Sequence, residues 1–133
     1  MYKILLASDG STNSFKAAEK AFRLAGPLQA EVTVIAVVPK ISSIPPEANE
    51  TMKRNANIVL EKNKDFFDKK GLKVGLLLEY GDPGNIICET ADKEDYDLII
   101  LGSSGLGTIK ELFLGSVCNK VVHCAKKPVI VVR

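Results

Sequence analysis

Glycines crowd one part of the chain in a way that could serve anion binding. Gly102, Gly105 and Gly107 fall within six residues, and Gly115 precedes Ser116 a little further on. Glycines let backbone N–H groups approach an anion closely and permit positive φ angles. A helix starting at Gly115-Ser116 would add free N–H groups and the positive end of its dipole, and the serine hydroxyl could donate to a phosphate oxygen. Together these groups could hold a polyphosphate without any lysine. The same residues also read as a loop of glycine turns with Ser116 as an ordinary N-cap, and this segment alone leaves both readings open. Two other phosphate motifs are excluded. No G-x-x-x-x-G-K-[ST] occurs, and the dinucleotide fingerprint G-x-G-x-x-G should follow the first strand, which it does not.

Asp9, in Ser8-Asp9-Gly10-Ser11, is the second candidate. It could form an Asx turn into the next helix, but it falls at the same sheet edge as the glycine loop, which favours a site role. A serine beside an aspartate also invites acyl transfer, yet no histidine lies where a base would be needed. His123 is the only histidine. With no second ligand type at metal spacing it reads as a partly exposed helix residue. Lys110 and Glu111 read as a solvated charged pair. Cys88, Cys118 and Cys124 include no C-x-x-C pair, and their odd number points to reduced, structural thiols.

Five short apolar runs must position these residues: Ile4–Ala7, Val32–Val38, Val74–Leu78, Leu98–Leu101 and Val129–Val132. Most are apolar on both faces, as strands covered on both sides should be. Between them lie stretches of helical period. Ser11–Ala25 places Phe15, Ala18, Phe22 and Ala25 on one face and is stopped by Gly26-Pro27. A segment from Pro46 to about Lys70 aligns Met52, Ala56, Val59, Leu60, Phe66 and Phe67, with Gly71 as its stop. A third helix runs from Pro83 to about Ala91, and a fourth from Gly115-Ser116 to before Pro128. The strict alternation predicts an α/β fold, a single open parallel five-stranded sheet with helices on both faces. Ligands of such sheets bind beyond the carboxyl ends of the strands, where strand order reverses. Asp9, Pro39, Gly81-Asp82-Pro83-Gly84 and the glycine segment all fall there. A phosphoaccepting receiver domain is excluded by geometry, because Lys126 and Lys127 precede the last strand instead of following it.

The chain has 133 residues, 46% hydrophobic and 26% charged, which suits one domain spanning residues 1–133. Eighteen basic and sixteen acidic residues leave a net charge of +2, too small and dispersed to predict nucleic-acid binding. No apolar run approaches the ~20 residues of a membrane span. Asp9 interrupts the first apolar run too soon for a signal peptide, so a cytoplasmic location is expected.

The spacing Gly102-x2-Gly105-x9-Gly115-Ser116 resembles the G-x2-G-x9-G-[ST] signature of the ATP-binding branch of the universal stress protein family. Ile4–Ser11 is similar to that family's opening strand and Asp-containing turn, Asp97–Ser103 to its fourth strand and Lys127–Val132 to its closing strand. The resemblance implies a Rossmann-like, adenine nucleotide alpha hydrolase-like sheet that binds ATP. It implies that Ala7, Ser8 and Val37 line the adenine side, and that Asp9 lies near ribose and phosphates and can help hold Mg2+. Leu101, Gly102 and Gly105 would flank ribose and phosphates, and Gly115, Ser116 and Val117 would contact the phosphate chain. Many relatives have histidine where this chain has Ala36. The resemblance also implies a homodimer formed through the C-terminal strand, while the charge balance and hydropathy predict no nucleic-acid or membrane partner. No catalytic residue is evident, so little or no ATP hydrolysis is expected. The alternative is a dimeric scaffold with an empty pocket.

Overall fold

The computed structural model describes residues 1–41, 43–103 and 115–133. Gly105, Gly107, Lys110 and Glu111 lie outside the described residues. Among the described residues nine elements alternate strictly: β1 (Tyr2–Ala7), α1 (Thr12–Leu28), β2 (Ala30–Val38), α2 (Pro46–Lys69), β3 (Gly75–Tyr80), α3 (Pro83–Lys93), β4 (Leu98–Gly102), α4 (Ser116–Cys124) and β5 (Val129–Val132). The strands form one parallel sheet in the order β3-β2-β1-β4-β5. From β1 the chain steps outward to β2 and β3, then returns to β4 and continues to β5. The reversal lies between β1 and β4.

Both sheet faces are buried, which is why the strands read as continuous apolar runs. Ile4, Leu6, Val34 and Ile100 pack against α1 and α2, while Leu5, Ile35, Ile99 and Leu101 pack against α3 and α4. On α1 the residues against the sheet are small: Ala17, Ala18, Ala21 and Ala25. Phe15 lies at the flank instead, edge-on to Phe66 of α2 at 6.4 Å between ring centroids. Small side chains let α1 sit close over β1 and β4, and the aromatic rings fill the seam between the helices.

Backbone pairing extends the strands beyond their apolar runs. β1 and β2 begin two residues early, with Tyr2 opposite Ala30 and Lys3 opposite Glu31. β3 is displaced toward the C-terminus, because its ladder follows β2 from Thr33↔Gly75 to Val38↔Tyr80. Helix α1 passes through Gly26-Pro27, contrary to the sequence expectation, and ends at Gln29 in a left-handed conformation (φ 50°). Pro27 removes one hydrogen bond in the exposed last turn, where water can satisfy the Arg23 carbonyl.

The cysteines also depart from expectation. Cys88 of α3 and Cys124 of α4 form a disulfide across 36 residues of sequence, with Cα atoms 6.4 Å apart, and Cys118 is a free, buried thiol. The pairing arises because α3 and α4 lie side by side on one face of the sheet. Gly84 permits the approach, since a Cβ there would stand 2.6 Å from Lys120 Cγ. Among the described residues no helix is long and apolar enough to cross a membrane.

Candidate functional site

A cavity of about 450 Å³ opens beyond the carboxyl ends of β1, β2 and β4, at the strand-order reversal. That is within the range of small-molecule sites. Its floor is made by the turn after β1 (Ala7, Ser8, Asp9) and the end of β4 (Leu101, Gly102). Ile35 to Pro39 of β2 and its following loop form one side, and the first turns of α3 and α4 form the other. Met52, Asn55, Ala56 and Val59 of α2 cover it.

The β1–α1 turn is held from beneath by buried polar groups. Asn63 Nδ2 donates to Ser8 Oγ at 3.0 Å and to the Val59 carbonyl at 2.9 Å. Ser8 Oγ lies 3.2 Å from Ser14 Oγ, which donates to the Ser11 carbonyl at 2.7 Å. The Ser8 hydroxyl is thereby committed to the interior, which also removes it as a nucleophile. Gly10 adopts φ +82°, and a Cβ there would lie 2.8 Å from Val59 Cγ2, so the turn requires glycine. Asp9 does form an Asx turn, with Oδ1 accepting from Ser11 N at 2.9 Å. It is nevertheless exposed and lines the cavity.

On the opposite side α4 begins at Gly115, whose N-cap position offers no side-chain acceptor. The first intrahelical bond runs from Asn119 N to the Gly115 carbonyl at 2.8 Å. The N–H groups of Ser116, Val117 and Cys118 precede it and so have no partner within the helix. All three residues line the cavity. Asp9 is the only charged side chain among the described lining residues. Among the described residues, an anion there would meet backbone N–H groups and a helix dipole, not a lysine or arginine.

Of the candidates from sequence, Ala7, Ser8, Asp9, Val37, Leu101, Gly102, Gly115, Ser116 and Val117 all line this one cavity. Gly105 lies outside the described residues. Gly102 is the last residue of β4 and not part of a free loop, and a Cβ on it would come within 2.8 Å of the Asn13 backbone. Close packing of α1 is therefore one reason for glycine there. Sequence reasoning missed the cover from α2 and the lining role of Cys118. The apolar stripe on α2 was visible, but its first half faces the cavity while Leu60 and Phe67 enter the core. Cys118 is 2% exposed, and burial pushes its thiol up, slightly opposed by Arg133.

His123 sits exposed in the last turn of α4, with Nδ1 2.8 Å from the Asn119 carbonyl. Lys127 pairs with Asp95 at 2.7 Å, on the sheet edge away from the cavity. Among the described residues no group of three or more His, Cys, Asp or Glu could hold a metal ion.

Comparison with known sequences identifies the lineage: the model of the universal stress protein family matches residues 1–133. The chain belongs to that family. It is 34% identical to universal stress protein MJ0531 of Methanocaldococcus jannaschii over 138 residues, covering 98% of this chain and 81% of that one. The solved structure of MJ0577, a universal stress protein of the same organism, superposes with a TM-score of 0.85 at 30% identity, covering 98% of this chain and 94% of that one. A universal stress protein from Archaeoglobus fulgidus, solved in complex with dAMP, shares the fold at a TM-score of 0.80 and 24% identity, covering 100% and 98%. The universal stress protein fold thus accounts for the single parallel sheet with its covering helices.

Proposed function

We propose that this chain is a nucleotide-binding regulatory protein that holds Mg-ATP in the cavity above β1 and β4. One observation carries the reading. The first turn of α4 presents backbone N–H groups without intrahelical partners to a cavity whose other half is apolar. A triphosphate suits the first part and a purine the second. Ala7, Ser8 and Val37 would take the adenine side, with Met52 and Ala56 above it. Leu101, Gly102 and Gly105 would flank ribose and phosphates, and Gly115, Ser116 and Val117 would meet the phosphate chain. The residues present fit a magnesium ion only as part of the nucleotide complex, because among the described residues Asp9 belongs to no group of three or more acids, histidines or cysteines that could hold the ion alone. Such an ion would offset the phosphate charge beside Asp9. The Archaeoglobus protein's dAMP complex supports the reading to the extent that the same architecture carries an adenine nucleotide.

Little turnover belongs to this reading. No lysine, arginine or histidine lines the cavity among the described residues, so nothing there would stabilise the leaving charge or position water. Phosphate release by the pure protein at the ~1–10³ s⁻¹ of ordinary enzymes would contradict it. We also assign homodimerisation to β5, whose outer edge has no partner strand among the described residues and whose Val129–Val132 is apolar. A monomer in sedimentation at micromolar concentration would count against that assignment.

Ser116→Ala tests the phosphate assignment. A hydrogen bond to a charged group contributes roughly 1.5–3 kcal/mol, so ATP should bind at least about tenfold more weakly. Adenosine affinity should hardly change. Equal losses for ATP and adenosine in calorimetry would show that Ser116 does not meet phosphate.

A further inference from the structure

We propose that Cys88 and Cys124 form a reversible thiol–disulfide switch that fixes α4 against α3 and thereby sets the affinity of the cavity for nucleotide, an inference that rests on the nucleotide reading above. The bond joins two walls of the same site. Cys88 follows Ile87, which lines the cavity, and Cys124 closes the nine-residue helix whose first residues, Ser116 and Val117, also line it. Among the described residues, helix α4 is held to this face by a narrow apolar contact, Cys118 and Val121 on the sheet and on α3, and by the Lys120 stem against Gly84. Only Cys118 and Val121 of its residues are buried. Two ion pairs also tie this segment to α3, Lys120–Asp82 at 3.3 Å and Lys126–Asp92 at 3.7 Å, both between largely exposed side chains, and such pairs contribute little. Elements with few buried contacts open at low free energy, so the covalent tie decides how firmly the α4 N-terminus is presented.

Access favours reversible chemistry. Cys124 is exposed and Cys88 half-buried, so a small thiol reaches Cys124 Sγ first. A thiolate of a low-molecular-weight dithiol attacks Cys124 Sγ, the Sγ–Sγ bond breaks, and Cys88 leaves as a thiolate and takes up a proton. The second thiol of the reductant then attacks the mixed disulfide and releases Cys124. The protein gains two electrons and two protons, and the dithiol becomes a cyclic disulfide. Reoxidation runs the other way with a low-molecular-weight disulfide, which leaves as two thiols. Cys118 stays outside this cycle, being buried and protonated.

Neither Cys88 nor Cys124 lines the cavity, so changing either sulfur removes no direct ligand contact. The test compares ATP affinity by calorimetry for wild type treated with oxidised glutathione and wild type treated with dithiothreitol, each freed of reagent. Free thiols are counted in denaturant alongside. The oxidised chain should show one thiol per molecule and the reduced chain three. Reduction should weaken ATP binding at least about fivefold, the lower end of coupling between sites, and reoxidation should restore it. C124S should bind like the reduced protein and ignore dithiothreitol. The wild-type cycle needs no substitution, so a variant that fails to fold leaves the comparison intact. Equal affinities at one and at three thiols would overturn the switch alone, as would three thiols persisting in excess oxidised glutathione. No ATP binding in either state would sink the nucleotide reading and the switch with it.

Discussion

The two faces of the sheet are stabilised by different means. On one face α1 and α2, 17 and 24 residues long, bury alanines, Leu60 and Phe67, and the buried amide of Asn63 ties α2 to the β1–α1 turn. On the other, α3 and α4 are 11 and 9 residues long and are joined by a covalent bond. The cavity lies across both, so one of its sides is fixed by packing and the other by a cross-link. Packing does not depend on redox conditions; the cross-link does. The difference teaches that the half of the site carrying Asp9 is built in, while the half offering helix N–H groups is adjustable.

Substitutions can break each side separately. The largest effect is expected at Phe67, which is fully buried between α2 and the sheet. Phe67→Ala should cost about 3–5 kcal/mol, and the fall in melting temperature should be the same with and without reductant. Cys88→Ser comes next. In the chain-entropy picture, losing a cross-link over 36 residues removes up to about 4 kcal/mol. That loss should appear only against the oxidised wild type and vanish against the reduced one. Thermal melts of both variants in oxidised and reduced buffer check the contrast. A Cys88→Ser penalty that persists against reduced wild type would mean that packing, not the bond, holds this face.

Much of this arrangement was legible in the sequence. The valine, isoleucine and leucine runs marked five strands because both faces of each are covered, and their alternation with helical periods specified a parallel sheet. That in turn put Asp9 and Gly115-Ser116 at one edge before any coordinates. What could not be read depended on long-range partners. Asn63 looks like one polar residue among several in a charged stretch, and its partner Ser8 lies 55 residues away. Cys88 and Cys124 carry no local sign of pairing, and only the close packing of α3 on α4 at Gly84 brings them together. The stop expected at Gly26-Pro27 failed because a proline in an exposed last turn costs a single hydrogen bond. Gly102 had two reasons to be glycine, and the spacing suggested only the one connected with phosphate.

The most direct measurement is a calorimetric titration of the oxidised wild-type protein with Mg-ATP. The account predicts saturable binding at one nucleotide per chain, with adenosine weaker because it lacks the phosphates that the α4 N-terminus would receive. A folded protein that takes up no ATP, or binds adenosine as tightly as ATP, would contradict it.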